Sequence, residues 1–298
     1  MLGSEEKIAA GNVKENFIIP LIGEKTMSNG NGSSKNHIIV VKDLTKNFKE
    51  IKAVKGISFS VKAGEIFGFL GPNGAGKSTT IKMLTTLLHP TSGSMTLDNK
   101  DPVTNPDEVR KTFGIVFQDP STDDELTAYE NMEIHGVLYG VPKKLMKKRI
   151  EQLLKIVELW DRRKDLVKHF SGGMKRRLEI ARGLLHHPKI LFLDEPTLGL
   201  DPQTRYHIWT YIKELNRKEG ITVFFTTHYM EEADKIADRI AVIDNGRIVA
   251  QGTPAELKKK TRKTSLEDAF IKLTGKDIRE EGAESRFRMM MRRGAARR

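Results

Sequence analysis

The stretch Gly71-Pro72-Asn73-Gly74-Ala75-Gly76-Lys77-Ser78-Thr79 holds the residues of this chain best suited to chemistry. Glycines at these positions let backbone N–H groups turn inward around phosphate oxygens, where side chains would collide. A helix beginning near Lys77 adds the positive end of its dipole. Lys77 brings a full charge to the β and γ phosphates, and the Ser78 hydroxyl can ligate Mg²⁺. The spacing is that of Gly-x4-Gly-Lys-Ser/Thr, so the stretch is expected to bind nucleotide phosphates.

Two carboxylates follow a second apolar run, Ile190-Leu191-Phe192-Leu193-Asp194-Glu195. On a strand, neighbouring side chains point to opposite faces, so Asp194 can serve Mg²⁺ while Glu195 approaches a water aligned on the γ phosphate. His228 closes a third run, Phe224-Phe225-Thr226-Thr227-His228. A histidine at a strand end is usually structural, but the C-terminal ends of parallel strands form the ligand edge of such folds. Ser171-Gly172-Gly173 stands before an amphipathic stretch and supplies a second phosphate-binding helix N-terminus.

The elements that must position these groups are legible as alternating patterns. Ile38 to Val41 and Ile57 to Val61 read as early strands, and Ile66 to Leu70 as a buried strand running into the glycine-rich loop. A helix is expected from Lys77 through Leu88, stopped by Pro90. Gly114 to Phe117 reads as a strand, and residues 123–168 as mostly helical by their apolar spacing. Further strands are expected at Ile190 to Leu193, Thr222 to Phe225 and Ile240 to Ile243, with helices at Arg177 to Leu185 and about Gln203 to Lys218. Such alternation implies parallel strands with helical crossovers.

Taken in order, the motifs resemble the ATP-binding cassette (ABC) family over roughly residues 37–258. Phe48 stands where that family places an adenine-stacking aromatic. Gln118 has the position of its Q-loop, Ser171-Gly172-Gly173 that of its signature, Leu198-Gly199-Leu200-Asp201 that of its D-loop, and His228 that of its switch histidine. The resemblance implies an α/β P-loop NTPase with a parallel-sheet core, an antiparallel β subdomain and a helical signature subdomain. It also implies two cassettes pairing head to tail, as a homodimer or with a second ATP-binding subunit. Lys77 and Ser78 would then bind ATP in cis, and Ser171 and Gly173 the γ phosphate in trans. Glu195 would act as general base or water-positioner, His228 would touch the γ phosphate, and Gln118 would complete the Mg²⁺ site and sense a multi-span membrane permease.

Departures from the pattern are Phe48 for a commoner Tyr, Phe170 and Met174 around the signature, and Leu198 in the D-loop. None removes a phosphate donor or the base. The segment Ile240 to Pro254 and the later Ser265 to Gly275 resemble the ATPases of daunorubicin-resistance-type exporters, so export and a peripheral place on the cytoplasmic membrane face are expected. In the second segment Leu266, Phe270 and Leu273 form an apolar stripe suited to docking on the domain.

Composition bounds the alternatives. The 298-residue chain has no cysteine, which excludes disulfides and Cys-ligated metals. No apolar run approaches bilayer length, and none of signal-peptide length follows Met1 to Lys7. The formal charge of +12 sits in local runs, Lys143 to Arg149, Lys258 to Lys263 and Arg286 to Arg298. These read as solvated surface, with attraction to an anionic membrane face as the sharper alternative.

An ABC-type ATPase acting on nucleic acid or ribosomes is the alternative reading of that charge. Such proteins generally carry two cassettes, a long coiled coil or zinc-binding insertions, none of which is found here, so no direct nucleic-acid binding is expected. A P-loop kinase would not need the Ser-Gly-Gly helix or Glu195. The expected organisation is a flexible arm (1–36), the ATP-binding domain (37–258), a helical extension (259–282) and a basic disordered tail (283–298).

Overall fold

The computed structural model describes residues 37–275; the expected N-terminal arm, residues 276–282 of the helical extension and the basic tail lie outside them. The chain begins with a hairpin, β1 (His37–Phe48) and β2 (Ile51–Lys62), then β3 (Ile66–Leu70) and α1 (Lys77–Leu84). There follow β4 (Ser92–Leu97), α2 (Pro106–Arg110), β5 (Phe113–Val116), α3 (Ala128–Leu138), α4 (Lys143–Ile156) and α5 (Gly172–Gly183). The second half runs β6 (Ile190–Asp194), α6 (Pro202–Glu219), β7 (Thr222–Thr226), α7 (Met230–Ile236), β8 (Arg239–Asp244), β9 (Arg247–Gly252), α8 (Pro254–Thr261) and α9 (Leu266–Thr274).

Two sheets result. A six-stranded sheet has the order β5-β6-β7-β3-β8-β9, parallel except for β9, and a three-stranded antiparallel sheet has the order β2-β1-β4. The central strands β3, β6 and β7 are buried on both faces, hence their unbroken apolar runs. Their residues still alternate between two cores: Phe67, Phe69, Phe192 and Phe224 pack toward the antiparallel sheet, while Leu70, Leu191, Leu193 and Phe225 join the core beneath the helices. The architecture is the α/β arrangement the alternation implied.

Local boundaries shift where the chain adopts left-handed conformations. The first helix ends at Leu84 and not at Leu88: Thr86 has φ 64°, and the N–H groups of Leu87 and Leu88 both turn back to the Lys82 carbonyl. Pro90 therefore closes a turn, not the helix. Within 123–168 the α-helices are α3 and α4, the second stopped by Glu158 at φ 55°, and a short 3-10 turn begins at Val167. The signature helix begins at Gly172, five residues before the expected Arg177, since Ser171 caps it by accepting a hydrogen bond from the Met174 N–H at 3.3 Å.

At the C-terminal side α8 runs across the expected boundary at 258, opened by a Thr253/Glu256 capping box. Leu266 and Phe270 of α9 are buried in the helical core, with Leu273 packed at its margin.

Candidate active site

Strand order explains how distant motifs meet. β7 lies between β6 and β3, with Phe225 level with Leu193 on one side and Gly68 on the other. The loop after β3, the acidic pair after β6 and His228 after β7 therefore rise from one edge of the sheet.

Within the P-loop, two glycines are required by close approach. A side chain on Gly71 would lie 2.2 Å from the Ile243 carbonyl, and Gly76 combines φ 108° with the Ala53 carbonyl 2.8 Å from its missing Cβ. The crowding that excludes side chains at these two positions comes from β8 and β2. Gly246 donates to the Ala75 carbonyl at 3.0 Å, pinning the loop to the β8–β9 turn. Asn73 and Gly74 are exposed, Ser78 and Thr79 half-buried. Lys77 is buried, its ammonium donating to the carbonyls of Gly71 (2.7 Å) and Pro72 (3.1 Å). The N-cap of α1 is Gly76, which offers no side-chain cap, and the first N–H groups of the helix face the loop.

Asp194 and Glu195 are both buried. They are separated by a backbone kink and not by strand alternation: Asp194 ends β6, and Glu195 is already left-handed at φ 50°. Thr226 ties the two together. Its hydroxyl donates to Asp194 Oδ1 at 2.6 Å and accepts from the Glu195 N–H at 3.0 Å. Glu195 Oε2 lies 2.6 Å from His228 Nδ1. Burial pushes the Glu195 carboxyl up, but the hydrogen bond and charge of His228, with the charge of Lys77, outweigh it and hold the group below its usual range.

The sequence reading missed Thr226 and Arg176. Arg176, on α5, is buried and donates to the carbonyls of Pro196 (2.7 Å), Glu195 (3.0 Å) and Phe117. Thr226 sits inside a run already singled out and Arg176 three residues after the Ser-Gly-Gly, but neither has a local signal, because their partners are distant in sequence.

The remaining expected residues are spread around this edge. Gln118 is exposed just beyond β5, and Phe48 sits 43% exposed at the β1–β2 tip with the Lys46 ammonium 5.1 Å from its ring centre. Ser171 is exposed as the N-cap of α5, whose first turn holds Gly172 and Gly173. Asp201 caps α6, accepting from Thr204 N–H at 2.9 Å and its hydroxyl at 2.6 Å.

The donors present fit a nucleotide with Mg²⁺. The uncapped helix N-terminus and the buried ammonium suit phosphate oxygens, while the Ser78 hydroxyl and Asp194 carboxylate are hard oxygen ligands. Among the described residues no group of three or more His, Cys, Asp or Glu side chains is placed to hold an ion, so Mg²⁺ here would depend on phosphate oxygens for further ligands.

Residues 54–198 match the family model described as ABC transporter. The chain is 46% identical over 215 residues to the daunorubicin/doxorubicin resistance ATP-binding protein DrrA of Streptomyces peucetius, covering 72% of this chain and 65% of that protein. It is 42% identical over 243 residues to the linearmycin resistance ATP-binding protein LnrL of Bacillus subtilis (strain 168), covering 82% and 76%. Among solved structures, a dimeric ATP-binding cassette in a post-hydrolysis state, bound to ADP and Pi, superposes with TM-score 0.66 at 31% identity over 72% of this chain and 98% of that one. With its phosphate loop, acidic pair and histidine on one sheet edge, the chain belongs to the ABC transporter family of ATP-binding, ATP-hydrolysing subunits.

Proposed function

We propose that this chain is the ATP-driven motor of an exporter, acting as a head-to-tail dimer on the cytoplasmic face of a membrane beneath a separate multi-span permease. The observation that carries the reading is the Glu195–His228 pair, 2.6 Å apart, on the sheet edge that also bears the P-loop. The drug-resistance names of the two relatives favour export.

In this reading Lys77 leaves the Gly71 and Pro72 carbonyls for the β and γ phosphates, and the N–H groups at the start of α1 hold phosphate oxygens. The face of Phe48 stacks on adenine. Ser78, Asp194 and Gln118 would hold Mg²⁺, which supplies positive charge against the phosphate oxygens. Glu195, held ionised, orients a water toward the γ phosphorus and accepts its proton as the bond to ADP breaks. His228 engages Glu195 through Nδ1, which leaves Nε2 for a γ-phosphate oxygen. Ser171, Gly172 and Gly173 of the second copy close the site, with Asp201 near the contact between copies.

A surface feature supports the membrane partner. Ile134, Val137 and Leu138 are all exposed, and their i, i+3, i+4 spacing puts them on one face of α3. Such a stripe suits a cytoplasmic segment of a permease. Among the described residues no helix is long and apolar enough to cross a membrane, so the translocation path would belong to that partner.

Glu195→Gln tests the core of the reading. Turnover should be abolished while ATP binding persists and an ATP-bound dimer accumulates, seen by size exclusion with bound nucleotide. Hydrolysis at the parental rate would refute the role of Glu195.

A further inference from the structure

We propose that Arg176 and Glu179 are positioning residues through which α5 sets the Gln118 loop and the Glu195 turn of its own chain in a single motion. The inference rests on the dimeric ATPase reading above and adds a path by which contact at Ser171 reaches the chain's own carboxylate.

Every N–H of the Arg176 guanidinium points to a fixed feature of the site. Nε donates to the Pro196 carbonyl at 2.7 Å. One terminal nitrogen donates to the Phe117 carbonyl and to Glu179 at 3.0 Å, and the other to the carbonyls of Glu195 at 3.0 Å and Asp194 at 3.4 Å. Four of the five acceptors are main-chain oxygens, so a side-chain rotation cannot release them. One of them immediately precedes Gln118, and the others bracket the left-handed Glu195.

The Glu195 peptide is therefore held from both sides. Its N–H is fixed by Thr226 and its carbonyl by Arg176. A non-glycine residue at φ 50° persists only where its surroundings over-determine it.

One turn along α5, Glu179 is 2% exposed and splits its oxygens. One accepts from Arg176, and the other from the N–H and hydroxyl of Ser121. Arg182, a further turn on, donates to the Ser121 carbonyl and hydroxyl. One face of α5, spaced i, i+3 and i+6, thus grips the Gln118 loop at both ends and the Glu195 turn beside it.

A buried ion pair adds little net stability over an apolar pair, so the arrangement is poorly explained as reinforcement alone. What it achieves is geometric. Displacing α5 from its N-terminal end, where a second copy's nucleotide would bear on Ser171 and Gly173, shifts the peptide before Gln118 and the peptide of Glu195 together.

The test compares Arg176→Gln, Arg176→Lys, Glu179→Gln and Ser121→Ala in the full chain, by steady-state ATPase kinetics and amide hydrogen exchange with and without ATP. Arg176→Gln should lower kcat roughly tenfold to a hundredfold, with KM little changed. Residues 117–121 and 194–198 should lose protection together, while ATP still protects 71–79. Glu179→Gln should act in the same direction, and Ser121→Ala should loosen 117–121 alone. Arg176→Lys restores the charge beside Glu179 but cannot reach both sets of carbonyls, so it should not rescue kcat; full rescue would reduce Arg176 to an ion-pair partner.

Parental kcat in Arg176→Gln, or independent exchange of the two segments, would overturn the proposal. Should Arg176→Gln fail to fold, Glu179→Gln and Arg176→Lys carry the same comparison. A parent protein without ATPase activity refutes the motor reading instead, and the joint exchange of the two segments still decides the positioning role.

Discussion

Glu195 meets opposing demands within a single residue. Burial favours its neutral form, yet the His228 contact and the Lys77 charge keep it below the ordinary carboxylate range. A carboxyl with a depressed folded-state pKa contributes stability above its unfolded value, and that contribution is lost as pH falls through the folded value. The acid limb of kcat/KM should accordingly lie below that of an ordinary glutamate. In His228→Ala the largest influence, burial, loses its main opponent, so whatever activity remains should show its acid limb displaced to higher pH. An unshifted limb in a pH–rate profile would contradict the coupling. The preference for a charged Glu195 at neutral pH suits the water-activating role proposed for it.

At the scale of elements, α3 and the segment following α5 bring together a second titratable cluster. His135 on α3, Tyr139 and His186 form a stack, with Tyr139 and His186 ring centres 4.0 Å apart. Burial, reinforced by Arg182 and His186, lowers the His135 pKa to about 3. Burial lowers that of His186 to about 4 against the opposing hydrogen bond that its Nε2 donates to the Phe113 carbonyl, with His187 adding to the drop. Among the described residues, neither His135 Nε2 nor His186 Nδ1, both buried, has a hydrogen-bond partner. Both rings stay neutral in the fold, whereas in the unfolded chain they take up protons below about pH 6.5. Stability should thus decline as pH falls from about 6.5 toward 3. His135→Phe keeps the aromatic stack and removes one of these groups, so its melting temperature should fall less between pH 7 and pH 5 than the parent's. Equal losses in both proteins would count against the cluster.

At the scale of the whole molecule, the two sheets are joined by a slab of phenylalanines. Phe224 is fully buried, with the rings of Phe59, Phe67, Phe69 and Phe192 between 5.5 and 6.0 Å from its own. The same strand leads two residues later to Thr226 and then to His228, so the packing that joins the sheets also seats the edge proposed as the active site. Phe224→Ala should cost about 3–5 kcal/mol by urea denaturation. Because the strand's outward alternation would survive, the folded fraction should still bind nucleotide; loss of binding without loss of stability would show that the slab has another role.

What the sequence by itself determined is what depends on near neighbours. The spacing of Gly71 to Thr79, the apolar runs before Asp194 and His228 and the Ser171 cap are relations within a few residues, and they named the chemistry and most of the elements. Boundaries failed where single residues such as Thr86 and Glu158 took left-handed conformations that no periodicity announces. Tertiary structure alone decided the rest. Thr226 reaches Asp194 across 32 positions, Arg176 reaches Glu195 across 19, and Gly71 is required by the Ile243 carbonyl. Each contact follows from the strand order β6-β7-β3-β8 and from where α5 lies against it. Hydrophobic period reports which face of an element is buried, but not which element covers it. For the same reason the direction of the Glu195 shift was not legible in sequence: it is the balance of burial against a histidine that only the adjacent strand brings within reach.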